Sequence, residues 1–156
     1  MVALLTERET VILKKSQKLN NWNSTQMHYA FQKNHQRKWT VKRGEVYFVD
    51  LGENIGSEEN KTRPCVVLQA NAYNFESPVF TCAIISSSAI TVADIQIPIT
   101  GQYFYKDNKN ISKQLTGAVD LGQIKTVAKE RIVSKVCMLS QEMREIDNKL
   151  FNALGL

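Results

Sequence analysis

The sequence predicts an α+β fold, in which several short strands form a small barrel and a helix follows them at the C-terminal end. Residues 41–88 contain three short apolar runs separated by polar loops, a pattern typical of strands joined by turns. After Ser140, apolar residues recur at helical spacing. Residues 1–40 also show helical spacing but carry the excess positive charge, which indicates an extension of the barrel domain.

The length and composition fit one globular domain plus this extension. A chain of 156 residues with 43% apolar residues can bury a core of its own. We therefore predict a basic, helical extension over residues 1–40 and a folded domain over residues 41–156. No apolar run approaches the roughly 20 residues of a membrane span. The first residues lack the features of a signal peptide, so the cytoplasm is the expected location.

Charge and cysteine content narrow the possible chemistry. Residues 1–42 contain eight Lys or Arg and two Glu, a net charge of +6, whereas the remainder has twelve basic and thirteen acidic residues and a net charge of −1. Cys65, Cys82 and Cys137 are widely spaced among apolar residues, which predicts reduced core thiols. Both histidines lie in the extension, away from any of these thiols. Neither a metal ion nor another cofactor is expected.

The extension is predicted to contain two helices. Residues 4–19 place apolar side chains on one helical stripe, with Thr6 as the N-terminal cap. A polar break at residues 20–24 precedes a second, less regular helix over residues 25–37, with Ser24 as its cap. Four aromatic residues lie among the basic ones: Trp22, Tyr29, Phe31 and Trp39. They can stack on bases or dock the extension onto the barrel, and we expect a helical clasp over the barrel or over a second protomer.

Strand-like alternation begins at about residue 44. The first strand is predicted over residues 44–51, with Val46, Phe48 and Leu51 on one face and Glu45, Tyr47 and Val49 on the other. A polar loop over residues 52–62 then leads to Pro64, which suits the first position of a second strand. The second and third strands are predicted over residues 65–69 and 79–86. Their near-continuous apolar sequence predicts burial on both faces.

In the second half of the domain the sequence predicts three further strands, a long loop and a helix. A half-exposed strand covers residues 93–99, a strand covers residues 117–125 and a short strand covers residues 131–136. Gly122 indicates a bulge or a close backbone approach. Residues 101–113 are predicted to form a long loop whose aromatic residues either meet a partner or cover the end of the barrel. The helix is predicted to start at a Ser140 cap, with an apolar face of Met143, Ile146, Leu150, Ala153 and Leu154.

Polar groups at the ends of two apolar strands are the candidate site. Arg63 directly precedes the second strand, and the hydroxyls of residues 86–88 follow the third. A guanidinium and a hydroxyl at neighbouring strand ends can converge on one anion. In a basic protein, phosphate is favoured over carboxylate as that anion.

Several motifs occur here in the order found in a known family. They are RGEVY at residues 43–47, DL at 50–51, GSE at 56–58, TRP at 62–64, SP at 77–78 and LGQIKTV at 121–127. Over residues 41–156 the chain therefore resembles the PemK/MazF-like toxins of bacterial toxin–antitoxin pairs. The resemblance implies a homodimeric, SH3-like antiparallel β-barrel. It also implies metal-independent cleavage of single-stranded RNA, with 2′,3′-cyclic phosphate and 5′-hydroxyl ends, and inhibition by an antitoxin.

The implied reaction is attack of a ribose 2′-hydroxyl on the adjacent phosphorus, which requires proton transfer and charge stabilisation. Arg63 is predicted to stabilise the phosphorane, because a guanidinium holds its proton too firmly to be a good base. The resemblance also allows Arg63 a share in the acid–base work. The family motif has threonine where this chain has Ser86, which can still bind a phosphate oxygen or pass a proton to the leaving 5′-oxygen. Ser87 or Ser88 replaces it if the register slips. The resemblance further implies that Glu58 assists as a loop acid.

An RNA-binding surface and its partners are also predicted. The basic side chains of Arg43, Lys61, Arg63 and Lys125 are expected to cluster near a dimer groove, with Ser87 and Gln123 contacting phosphates or base edges. The antitoxin is expected to be an acidic segment that folds into the same groove, and the family implies that both proteins together bind promoter DNA. The alternative is a non-catalytic, SH3-like module that binds nucleic acid or protein.

Overall fold

The computed structural model describes residues 5–31, 40–87 and 91–156. The chain divides into two compact units, residues 1–33 and 34–156. Within the described residues no helix is both long enough and apolar enough to cross a bilayer.

Over the described residues 5–31 the first unit forms one continuous helix, α1 (Glu7–Phe31), and not the two helices predicted there. Residues 32–37 of the second predicted helix lie outside the described residues. Thr6 caps it as predicted, because its Oγ1 accepts from Glu9 N–H (3.3 Å) while Thr6 N–H donates to the Glu9 carboxylate (2.8 Å), a reciprocal capping box. Ser24 is not a cap but a helix-interior residue, whose hydroxyl donates to the Asn20 carbonyl. The polar residues at 20–24 do not break the helix because none is Gly or Pro. Trp39 lies outside the described residues.

Among its described residues, the second unit contains eight strands and two α-helices, besides a short 3-10 helix over Lys129–Arg131. In chain order they are β1 (Glu45–Asp50), β2 (Thr62–Val67), α2 (Asn71–Asn74), β3 (Val79–Ser86), β4 (Gln96–Pro98), β5 (Phe104–Lys106), β6 (Ser112–Gln114), β7 (Ala118–Ala128), β8 (Ile132–Met138) and α3 (Met143–Leu154). Six strands form one antiparallel sheet in the order β4-β7-β3-β2-β1-β8. Because β4 and β8 are the two edges of the ladder, this sheet is not closed, whereas an SH3-like antiparallel β-barrel was predicted. The α+β class is confirmed.

Both faces of the central strands are buried, as predicted. On β2, Val66 belongs to a core cluster that α3 covers through Ile146, while Cys65 and Val67 belong to a second cluster on the opposite face. Leu51 joins this second cluster with Tyr47 and Val49, so its assignment to the face of Val46 is wrong. The period of a strand is two residues, which places Leu51 with the odd-numbered side chains.

Two strand predictions need correction. Pro64 lies inside β2, opposite Phe48, and not at its first residue. Residues 101–113 are not a loop, because β5 and β6 form a hairpin whose turn is closed by Asp107 and by Asn110 at a φ of 60°. Tyr105 packs edge-on against Phe48 at 5.1 Å between ring centroids, which fixes the hairpin to the sheet. The polar, asparagine-rich sequence of residues 101–113 is typical of a loop, which is why the two strands were not predicted.

The bulge predicted at Gly122 is present and redirects a functional side chain. The pairing of β3 with β7 jumps from Ala83 opposite Ile124 to Ile84 opposite Asp120, which leaves three residues of β7 outside the ladder. Gln123 is one of these three, and its side chain reaches the loop between β1 and β2.

The start of α3 differs from the predicted cap. The N-terminal boundary residue is Glu142, and Ser140 makes no capping bond to the helix. The buried Glu142 carboxylate instead accepts from Thr100 N–H and Gly101 N–H (2.8 Å each) and from the Tyr103 hydroxyl (2.7 Å). Of the predicted apolar face, Ile146 is fully buried, while Leu154 is 57% exposed.

Candidate active site

Arg63 and Ser86 approach each other through a carboxylate. Glu59, in the loop over residues 51–61, accepts from Arg63 Nε at 2.9 Å through one oxygen and from Ser86 Oγ at 3.3 Å through the other. Arg63 lies at the start of β2 and Ser86 at the end of β3, and antiparallel pairing of these strands brings the two positions to the same end of the sheet. The predicted convergence of guanidinium and hydroxyl is therefore present.

Glu59 itself was missed by the sequence reasoning, which chose its neighbour Glu58. The Glu58 side chain is 59% exposed and pairs with Lys125 at 3.4 Å, whereas that of Glu59 is 19% exposed. Glu59 precedes Arg63 by four residues, and this spacing of opposite charges was the available signal. Adjacent glutamates in a polar loop do not show from sequence which of them turns inward.

Gln123 holds the loop in place. Its side-chain oxygen accepts from Glu59 N–H at 3.1 Å, and its side-chain nitrogen donates to the Ser57 carbonyl at 3.1 Å. From the other side, Asn54 Nδ2 donates to the Glu59 carbonyl at 2.7 Å. The backbone of Glu59 is thus bonded at both its N–H and its C=O, which limits the directions its carboxylate can take.

A cavity of about 200 Å³ opens beside this group. Glu59, Ser86 and Gln123 line it together with Asp120 on β7. The volume is several times the roughly 30 Å³ that one water occupies, so a phosphodiester group can fit. Asp120 accepts from Gly122 N–H at 2.8 Å and from Gln96 Nε2 at 3.2 Å, and it makes no bond to Arg63.

Ser86 is positioned by a close contact with Gly117. Ser86 pairs with Ala118 at the end of the β3–β7 ladder. Gly117 has a φ of +113°, and a Cβ built on it would lie 2.2 Å from the Ser86 carbonyl oxygen. Only glycine, which has no Cβ, allows the backbone at residue 117 to approach the Ser86 carbonyl this closely.

The predicted basic cluster is only partly assembled. Lys125 approaches the β1–β2 loop through Glu58, and Lys61 is an exposed residue of that loop. Ser87 is exposed directly after β3. Arg43 is elsewhere: its guanidinium contacts the Leu68 carbonyl and Asp147 on α3, at the end of β2 opposite to Arg63. Within one protomer β2 separates the two arginines, so Arg43 does not join the other three there.

The cysteines lie in the core as predicted. Cys65 and Cys82 are buried, Cys137 is partly buried, and all three are free thiols. Burial, followed by the charge of Glu142, raises the pKa of Cys137 to about 11. Across the described segments, no group of three or more His, Cys, Asp or Glu side chains could hold a metal ion.

Comparison with known proteins identifies the family. Residues 42–154 match the model of the PemK-like, MazF-like toxin of type II toxin–antitoxin systems. The chain belongs to this toxin family. It is also 32% identical over 117 residues to the endoribonuclease EndoA of Bacillus subtilis, covering 74% of this chain and 96% of that protein. The endoribonuclease MazF of Staphylococcus epidermidis shows the same identity, with 92% of its length covered.

Solved structures of related toxins share the fold. A mycobacterial endoribonuclease in complex with its cognate antitoxin aligns with a TM-score of 0.58 and 22% identity, covering 74% of this chain and 96% of that one. MazF of Deinococcus radiodurans aligns with a TM-score of 0.58 and 17% identity, covering 76% of this chain and 99% of that one. At these identities the structural match supports the fold alone. The match to the family model begins at residue 42, after the extension.

Proposed function

We propose that this toxin is an endoribonuclease that cuts single-stranded RNA without a metal ion. The observation that carries the proposal is the meeting of Arg63 and Ser86 on one anionic group beside a cavity. The curated relatives, 32% identical to this chain, are named endoribonucleases. A guanidinium and a hydroxyl that already bind a carboxylate have the donors that a phosphate requires.

The proposed reaction is attack of the 2′-hydroxyl on the neighbouring phosphorus, giving a 2′,3′-cyclic phosphate and a 5′-hydroxyl end. Arg63 stabilises the phosphorane that forms. Its Nε binds Glu59, while its Nη groups bond to no acceptor among the described residues and remain available as a fork. Ser86 donates to a phosphate oxygen or to the leaving 5′-oxygen.

The surrounding residues suit RNA binding. Gln123 lines the cavity, Lys61 lies on the β1–β2 loop, Ser87 follows β3 and Lys125 lies on β7. These four residues are proposed to contact phosphates or bases. Glu58 was predicted to act as an acid, but its exposed contact with Lys125 supports a role in holding that lysine. Arg43 is proposed to stabilise the junction with α3, since its guanidinium is bonded there.

The family relation also supports proposals on assembly. We expect a cognate antitoxin partner, because MazE–MazF complexes and a mycobacterial toxin–antitoxin complex share this fold. A homodimer with SH3-like, barrel-like protomers, action in the cytoplasm, and promoter binding together with the antitoxin remain part of the proposal.

The test is cleavage of a long single-stranded RNA in the presence of EDTA. We expect cleavage by the full chain and a loss of about 10²–10³ in rate for Arg63→Ala, the effect of removing one donor to a developing oxyanion. Arg144→Ala, at an exposed position on α3, is the matched control and should cut at the normal rate. RNA that is bound but never cut would favour the non-catalytic binding module, and undiminished cutting by Arg63→Ala would contradict the proposed site.

A further inference from the structure

We infer that Glu59 is a catalytic residue of this ribonuclease, the general base that accepts the proton of the attacking 2′-hydroxyl. The inference rests on the proposed function. It assigns the proton transfer to a loop carboxylate beside Arg63 and Ser86. The names of the relatives state an activity but no role for this residue.

The reaction needs a base, and few groups near the cavity can serve. Arginine stays protonated and cannot accept a proton. Among the described residues, no histidine lines the cavity. Two carboxylates line it, Glu59 and Asp120. Asp120 is engaged by Gly122 and Gln96, whereas Glu59 bonds to both residues proposed to bind the phosphate.

The geometry of Glu59 fits a general base better than an inhibitory plug, that is, a carboxylate that blocks the phosphate site. A plug would occupy every donor that the phosphate needs, but Glu59 uses only Nε of Arg63 and leaves the planar Nη fork. A phosphate on that fork lies next to the Glu59 carboxylate without displacing it. The 2′-oxygen and the phosphorus are neighbours in one nucleotide, so the carboxylate is within reach of the hydroxyl proton.

The contact between Glu59 and Ser86 closes the proton path. The carboxylate takes the 2′-hydroxyl proton as the bond from the 2′-oxygen to phosphorus forms. The resulting carboxylic acid donates to Ser86 Oγ, and Ser86 passes its own proton to the 5′-oxygen as the bond from phosphorus to that oxygen breaks. One proton is accepted and one is delivered, so the step needs no metal ion or other reactant.

The loop supports this role by fixing the carboxylate. Bonds from Gln123 and Asn54 hold the Glu59 backbone, and the side chain is mostly enclosed. Glu58, one residue earlier, points into solvent towards Lys125 and has no contact with Arg63 or Ser86. The two adjacent glutamates therefore form a natural matched pair for an experiment.

The decisive experiment compares Glu59→Gln with Glu58→Gln in the full chain on an oligonucleotide with one ribonucleotide at the cleavage site. We expect Glu59→Gln to lower kcat by about 10²–10⁴ and to remove the acid limb of the pH–rate profile, as loss of a general base does. Affinity for the uncleavable 2′-deoxy oligonucleotide should stay within a few-fold. Glu58→Gln, which releases Lys125, should keep the acid limb of the pH–rate profile. Glu76→Gln, at an exposed position before β3, should retain kcat within a few-fold.

Two further readouts separate a base from a structural residue. Formate should restore part of the activity of Glu59→Ala, because a small carboxylate can enter the space left by the side chain. On a substrate with a 5′-bridging sulfur, whose leaving group needs no proton, Ser86→Ala should recover most of its lost rate and Glu59→Gln should not.

The outcomes distinguish this inference from the proposed function. An intact chain that binds but never cuts RNA defeats the proposed function. Normal or faster cleavage by Glu59→Gln, in a wild-type chain that does cut, overturns only the inference, and a faster rate would identify Glu59 as an inhibitory plug. Absence of formate rescue together with a lower unfolding midpoint would assign Glu59 a structural role instead.

Discussion

At the scale of single residues, the site depends on which carboxylate of the β1–β2 loop turns inward. Arg63, Lys125, Glu58, Glu59 and Asp120 together carry a net charge of −1, which is unusual for a group that must bind phosphate. Two pairings, Arg63 with Glu59 and Lys125 with Glu58, are each neutral, so the remaining negative charge lies on Asp120. If Glu59 is the general base, one of these negative charges has a role in the reaction itself.

Gly117 gives a prediction at the same scale. We expect Gly117→Ala to lower the free energy of unfolding by at least about 2 kcal/mol and to reduce RNA cleavage. The added methyl group would meet the Ser86 carbonyl and displace the backbone that carries the hydroxyl. Urea unfolding and initial cleavage rates measure the two effects.

The matched control for this prediction is Gly56→Ala. Gly56 also has a positive φ, of +61°, but no atom lies within 4 Å of its added Cβ. It should show a small loss of stability from backbone strain alone. Equal losses in the two variants would mean that the contact with Ser86 does not matter.

At the scale of elements, the buried carboxylate of Glu142 connects α3 to the segment between β4 and β5. Burial on its own would raise the pKa of Glu142. The donors on Gly101, Tyr103 and Thr100 outweigh burial, so the pKa lies below the ordinary 4.5. A depressed pKa in the folded state means that Glu142 stabilises the fold above the unfolded pKa, and that this contribution is lost as pH falls through the folded value.

We predict that Glu142→Gln lowers the free energy of unfolding by about 1–3 kcal/mol at pH 7, because charged acceptors form the stronger hydrogen bonds. The difference from the wild type should shrink as the pH is lowered from about 5 to 3. Urea unfolding at a series of pH values is the measurement. Glu145→Gln, on the exposed side of α3, should change the value by less than about 0.5 kcal/mol. A pH-independent difference would contradict the proposed stabilisation by charge.

At the scale of the whole molecule, both core clusters are built from residues between Val41 and Ala153, and none comes from residues 5–31. We therefore expect removal of residues 1–39 to leave the urea midpoint of the main unit nearly unchanged. The control is the full chain under the same conditions, and a large drop would mean that the extension contributes to the core.

The same shortened chain tests the clasp predicted for the extension. A clasp over the main unit or a second protomer should affect assembly or RNA cleavage even if folding is unaffected. Equal cleavage and equal oligomeric state for the two chains would contradict it. The extension's excess positive charge also predicts that the RNA affinity of the full chain weakens more steeply with increasing salt concentration than that of the shortened chain.

The sequence alone determined the class of fold, most strands, the last helix and the end of the sheet where the proposed site lies. These follow from local patterns: alternation in β1, unbroken apolar runs in β2 and β3, helical spacing in α3, and a glycine at the bulge of β7. The Thr6 cap follows equally from its spacing to Glu9. The family motifs identified Arg63 and Ser86 by order and spacing.

Only the tertiary structure decided which residues meet. The β1–β2 loop could direct either glutamate towards Arg63, and bonds from Gln123, 64 residues after Glu59, select Glu59. Arg43 belongs to one of the family motifs, but it lies at the end of β2 opposite to Arg63, because a strand extends about 3.3 Å per residue. Local sequence sets the conformation of each segment, whereas contacts between distant segments depend on how bulges, loops and strand order bring them together.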